Sequence, residues 1–402
     1  MSALPLPLSL SLEHLPLLGY FALIALLLGA VAPNFSGPGQ RFNAVAGVFI
    51  LLALASVGST WYYMLKYFER SFIDSAFRAG VSPAAYTTKA WLADVSLFHE
   101  AWAYVCDSPQ RWWWTEQLCL WTVGPLTLIM GVEGRRHGIK RPWAFMLLGQ
   151  IVAVSSAQSL FFAALALSPS EVPLPRKPVP APSSPAAKQA ASSRNSPLTW
   201  SLLAAVILGN ASVAFAPGTL RTWWFLPNLL GMHAVLLVPL FLHKRDTSNA
   251  PMTLSRFYLN LALISLRFRA PTVLALLGDT PLSIKAVVPR LPELFATQWE
   301  TLNSHPAQQS IGWDVLFASL SGLVFLLWTS RAPKRPDERV SFLIPALLAV
   351  SAPFVGVSTA VGVGLAVAEG KKEATLDAEE RVEVARKEEA TKSRGKETKK
   401  SK

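Results

Sequence analysis

Long apolar runs, separated by short polar or proline-rich breaks, set the layout of this chain. In the first half they cover about 15–32, 43–65, 114–132 and 143–167. In the second half they cover about 198–215, 220–242, 311–329 and 342–368. Runs of about 18 or more apolar residues match the thickness of a bilayer's hydrocarbon layer. Pro33, Gly37 and Pro38 close the first run, and Pro217-Gly218 closes the fifth. Trp61, Tyr62 and Tyr63 end the second, where an interfacial aromatic belt is expected. Gly124-Pro125 lies inside the third. Proline there removes one backbone hydrogen bond, so the spacing predicts a kink. Gln150 and Gln158 fall on nearly one face of the fourth.

Between these runs the pattern changes. Residues 66–109 are too polar to span, but Phe68, Phe72, Ile73 and Phe77 alternate with charges at helical spacing. Trp91, Val95, Phe98 and Trp102 form a second stripe, and amphipathic helices lying on the membrane are expected. Residues 168–197 are dominated by Pro, Ser and Ala, which predicts a flexible linker. It divides the chain into a membrane half at 1–167 and another at 198–368, followed by a charged tail at 369–402. Residues 254–278 are ambiguous: LNLALISL is apolar, but Arg256, Arg267, Arg269 and Pro271 interrupt it. An amphipathic or re-entrant element is favoured over a true span.

Composition agrees with the pattern. Of the 402 residues 51% are hydrophobic and only 15% charged, and mean hydropathy is +0.35. A soluble domain carries about 25% charged residues. The expected fold is therefore an all-α polytopic membrane helix bundle of about eight spans, nine if 254–278 crosses. The net charge of +12 sits mainly in loops and tails, which fits anionic lipid and topology rather than nucleic acid. Arg135, Arg136, Lys140 and Arg141 make one basic loop, and Arg331, Lys334, Arg335 and Arg339 another. Both are expected on the cytosolic side. That requires an even number of crossings between them, which favours eight spans.

No metal, nucleotide or esterase motif occurs, and the six histidines form no ligand pairs, so no cofactor is expected. Cys106 and Cys119 lack metal-site spacing and read as free thiols. What remains is acids and tryptophans near hydrocarbon. Asp314 and Glu116 each lie about one turn inside a span. Each is either a helix-start acid favoured by the dipole or a desolvated carboxylic acid able to donate a proton. Asp94 and Glu100 are further acid candidates on the interfacial helices. Glu133 reads as a loop ion pair with its arginine neighbours. Trp113, Trp114, Trp121 and Trp313 are candidate substrate-binding walls, and a membrane-edge belt is the alternative for Trp113 and Trp114. His233 reads as an interhelical hydrogen-bonded contact. Asn34-Phe35-Ser36 is a chance sequon at a helix end.

The runs WLADVSLFHEAWAYVC, RWWWTEQLCLWTVG and EGRRHGIKRPWAFMLLGQIVAVS, with the later SIGWDVLFASLS, resemble a group of fungal multi-pass membrane proteins. That group includes the AscI-like membrane-bound terpene cyclases of ascofuranone and macrophorin-type meroterpenoid pathways. The resemblance covers about 60–167 and 305–330, and elsewhere it is one of hydropathy alone. It implies metal-independent cyclisation of a lipophilic prenylated, farnesyl-derived small molecule, begun by protonating an epoxide or alkene. It also implies an endoplasmic reticulum or other endomembrane location. The proline-rich linker and the charged tail depart from a minimal cyclase.

Overall fold

The computed structural model describes residues 15–37, 42–168, 198–242, 250, 252–281, 283–331 and 338–400. The expected linker lies outside them from residue 169 onward. Among the described residues there is no strand, and the all-α membrane bundle expected from the hydropathy is what forms.

Six helices are long and apolar enough to cross a bilayer. They are α1 (Leu15–Val31), α2 (Ala44–Arg78), α9 (Trp200–Thr219), α10 (Phe225–Leu242), α11 (Leu254–Leu277) and α13 (Pro306–Arg331). Residues 66–78 do not leave α2 but continue it, so that helix has 35 residues. The interfacial helices α3 (Thr88–Asp94) and α4 (Leu97–Cys106) follow. Next comes a composite rod: α5 (Pro109–Trp121), a π-turn over Thr122–Leu126, and α6 (Thr127–Arg136). The π-turn is the response to Pro125. Within it Thr127 Oγ1 donates to the Thr122 carbonyl at 2.7 Å.

Two of the expected spans do not cross. Residues 143–167 break into α7 (Pro142–Ile151) and α8 (Val154–Leu167), which fold back on each other. Phe145 meets Phe161, and a Cβ on Gly149 would lie 3.3 Å from Ala157, an antiparallel register about the break at 152–153. Both ends of this hairpin lie at the same face. Ser168 Oγ donates to the His137 carbonyl, and Asn34 bonds the backbone of Lys140. Residues 342–368 do the same. Helix α14 (Leu343–Val355) turns at Gly356 into α15 (Val357–Lys400). Lys371 Nζ reaches the Arg339 carbonyl at 2.6 Å, so the two arms leave the layer side by side.

The hairpins correct the expected topology. Segment 254–278 is long and apolar enough to cross, as α11, and Arg339 still lies on the face of the basic loop at 135–141, through Lys371 and the Glu369–Arg136 pair. The parity is kept because 143–167 enters and leaves on that same side. The positive-inside rule expects this basic face on the cytosolic side, and it is called the cytosolic face below on that expectation. The opposite face carries α3, α4 and α12 (Leu291–Asn303), tied down by Tyr67 to the Leu97 carbonyl and by Trp114 Nε1 to the Gln298 carbonyl at 3.1 Å.

Small residues bring the helices together. A Cβ on Gly364 would lie 2.5 Å from Leu326, and one on Gly131 would lie 2.6 Å from Leu202. Close backbone approach of this kind, not water exclusion, drives helix association in lipid. Asn34 of the sequon is buried with its amide bonded to the Val31 and Lys140 carbonyls, leaving no acceptor site for a glycan in this fold.

Candidate functional site

Each hairpin tip exposes a helix end inside the apolar layer. At about 1.5 Å per residue, the 14-residue α8 reaches about 20 Å inward. Unpaired peptide groups at that depth cost several kcal/mol each, so something must answer them. Two charged side chains on crossing helices do so, one for each sign of helix end.

Asp314 of α13 answers the N-terminus of α8. Its Oδ1 accepts from the Ser155 amide at 2.7 Å and its Oδ2 from the Val154 amide at 3.1 Å. Ser155 Oγ donates to the same carboxyl and also contacts Ser56 Oγ. Ala153 at the N-cap has no side chain able to do this, so Asp314 acts as a cap supplied from another helix. Below it Trp121 Nε1 donates to Gln158 Oε1 at 2.6 Å, and Gln158 Nε2 donates to the Ala318 carbonyl at 2.8 Å. Trp121 is fully enclosed, with its ring edge 3.2 Å from where a Gly322 Cβ would stand.

Arg269 of α11 answers the C-terminus of α14. Its Nε donates to the Phe354 carbonyl at 2.9 Å and its Nη1 to the Trp113 carbonyl at 3.2 Å. The guanidinium carbon lies 4.7 Å from the Trp113 ring centroid. A cation at the negative end of a half-helix is the counterpart of the anion at α8. Gly356 makes the turn at φ +85°, and a Cβ there would press on Arg269 Cδ at 3.3 Å.

Glu116 stands beside this second tip. Its Oε2 is 3.9 Å from Arg269 Nη1, too long for a hydrogen bond. Both residues are almost wholly buried, at 3% and 2% exposure. Glu116 Oε2 and Arg269 Nη2 are buried without hydrogen-bond partners, as are both amide atoms of Gln298 on α12. Trp112, Trp113 and Trp114 surround the start of the rod, and the last two meet edge to face at 4.9 Å. Glu116, Arg269 and the tryptophans thus form a dry polar pair with spare hydrogen-bonding capacity inside an aromatic wall.

The structure separates the other candidates. Asp94 is exposed and pairs with Arg78 at 3.6 Å. Glu100 folds back on the Ser96 amide at 3.0 Å, capping its own helix start. Trp313 packs edge-on against Trp299 of α12. Glu133 pairs with Arg136 at 2.6 Å, at the cytosolic face. His233 Nδ1 contacts the Leu229 carbonyl at 2.6 Å, one helical turn back along α10. Cys106 and Cys119 are free and buried, and no cluster able to hold a metal occurs among the described residues. Sequence reasoning missed Arg269 and Gln298. The arginine was visible as a charge inside an apolar run, which is itself a sign of function in a crossing helix.

Comparison with protein families, with curated proteins and with solved structures finds no match to this chain.

Proposed function

We propose that this integral membrane protein is an acid catalyst of the bilayer interior, cyclising a prenylated epoxide or olefin, with Glu116 as the proton donor. The observation that carries this reading is the unpartnered Glu116 Oε2 in a tryptophan-lined, water-poor setting. Trp112 and Thr272 hydrogen-bond this carboxyl, but its Oε2 is left without a partner and is free to act on a substrate. Asp314 differs: both its oxygens already accept backbone hydrogen bonds.

The chemistry balances without any other reagent. The Glu116 carboxyl gives its proton to the epoxide oxygen, and the C–O bond breaks with its electron pair remaining on oxygen as a hydroxyl. The resulting tertiary cation is attacked by the chain's own double bonds in turn. The last cation loses a C–H proton to the carboxylate, so product and substrate are isomers. Trp112 and Trp114 offer ring faces to the passing cation, while Arg269 occupies that of Trp113. The resemblance to the fungal cyclases supports the reaction class and an endoplasmic reticulum location. Trp121 and Trp313 serve this reading as outer walls.

The test is product analysis of microsomes fed a farnesylated epoxide. Glu116→Gln is expected to lower turnover by roughly two orders of magnitude or more, the usual scale for a lost general acid. Glu133→Gln, at the cytosolic face, is the control. Normal turnover by Glu116→Gln would remove Glu116 from the reaction.

A second reading is passage of a polar solute, favoured by two broken helices at the depth of buried charges. Solute uptake by proteoliposomes, together with silence toward every prenylated epoxide, would select it.

A further inference from the structure

The Glu116 site is walled unevenly. The partners of Glu116 lie on α5, through Trp112, and on α11, through Arg269 and Thr272, and α5 is buried over Trp112–Trp121. Helix α14 is not: of its 13 residues only Pro345 and Ala352 are buried. Leu343, Leu347, Val350 and Phe354 face outward at 68%, 69%, 73% and 43% exposure, a stripe suited to lipid tails. Yet α14 covers the inner end of the site, because the Phe354 carbonyl is where Arg269 is held. Its neighbour on the far face is α12, which it touches through one ring pair. Phe295 and Phe354 meet edge to face at 5.6 Å.

This helix is built to swing. Gly356, at φ +85°, separates it from α15 in a conformation that locks no side chain. At its outer end Val340 is held to the Ser330 carbonyl at 3.2 Å, which leaves a pivot near the cytosolic face. An outward swing gives up the packing of α14 on α15 and α13, parts Phe295 from Phe354 and releases an Arg269 N–H beside Glu116.

We propose that the apolar substrate reaches Glu116 sideways out of the bilayer, through the seam between α12 and α14, with Phe295 and Phe354 as the closing pair. The inference rests on the cyclase reading for the identity of the substrate but not for the motion itself. A lipophilic chain already dissolved in the membrane then never crosses water. The width to which the two rings part sets the bulk of the chain admitted. Closing α14 returns Arg269 to the Phe354 carbonyl and shuts the cation away from lipid and water.

The test joins the two sides of the seam. Phe295→Cys and Phe354→Cys are introduced together and linked by a short bis-thiol reagent with a reducible centre. Each single variant, treated alike, controls for reaction at Cys106 and Cys119. Turnover of the farnesylated epoxide by the same preparation before linking is the reference. Linking is expected to lower it by roughly tenfold or more, and reduction to restore it. Unchanged turnover after complete linking overturns the proposal. A second measurement needs neither activity nor these variants. Spin labels at the exposed positions Glu293 and Leu347, in nanodiscs, are expected to give two separations, with the populations shifted by added farnesylated epoxide. One narrow, unmoved separation overturns the gate. If the labels move but no prenylated substrate is ever turned over, the gate stands and the cyclase reading falls.

Discussion

The two hairpins solve the same problem in opposite ways. Both enter from the cytosolic face, both end in the apolar layer, and both hand their loose helix end to a charge on a crossing helix. In the first, an acid holds amides, and 12 of the 14 residues of α8 are buried. Phe162 stacks on Phe325 at 4.3 Å and meets Phe49, so aromatic packing fixes the arm along its length. In the second, a base holds carbonyls, and α14 is almost bare. The first hairpin is a piece of the core, whereas the α14 arm of the second is a flap. Burial, not the presence of a cap, decides which hairpin can move.

Substitutions at four positions test that contrast, in falling order of effect. Arg269→Met should cost about 3–5 kcal/mol, because it leaves the Phe354 carbonyl without its donor and removes a buried guanidinium packed on Trp113. Thermal unfolding in detergent measures the loss. Limited proteolysis should show α14 cut before α8, and simultaneous release of both hairpins would deny that they are independent. Asp314→Ala should cost about 3 kcal/mol by leaving the Val154 and Ser155 amides unanswered. Its damage should be global, since α8 cannot leave without the core, and Asp314→Asn, which keeps one acceptor, should fall between.

Glu369→Gln comes third. Burial alone would raise this carboxyl, but Arg136 and Lys372 outweigh that and hold it below the ordinary range. Arg136 grips it with two bonds, at 2.8 and 2.7 Å. A depressed folded value means the pair stabilises above the unfolded value and fades as pH falls below it. Wild type should therefore lose stability through the acid range below the model-compound value of 4.5, while Glu369→Gln, weaker by about 2 kcal/mol at neutral pH, should lose less there. Parallel pH profiles of the melting temperature would refute this. Gly356→Ala is the mildest. The left-handed turn and the crowding of Arg269 should cost about 1–2 kcal/mol, and the loss should appear as faster proteolysis of α14.

Much of the bundle was legible because a crossing helix must be apolar for a whole bilayer's width. The start of α1, the rod around Pro125 and the core of α13 could be read from hydropathy and one proline. The hairpins could not, because 26 apolar residues look alike whether they cross or turn back. What distinguishes them is the orphaned peptides at the break, and the partner that answers them lies 160 residues away for the first hairpin and 85 for the second. The same blindness hid half the site. Glu116 stood out as an acid beside tryptophans, but Arg269 counted against its own helix, since nothing local shows that a carbonyl waits for it.

That separation has a consequence for how the chain is made. Ser155 and its cap, Asp314, are 159 positions apart, and Trp113 and Arg269 are 156 apart. At roughly 5–20 residues per second, the ribosome needs on the order of ten seconds or more to supply the missing partner. Throughout that interval the first hairpin sits in the insertion machinery with nothing to hold its tip. An apolar stretch of its length would then lie most comfortably straight across the bilayer. Its tip is capped only once α13 has been made.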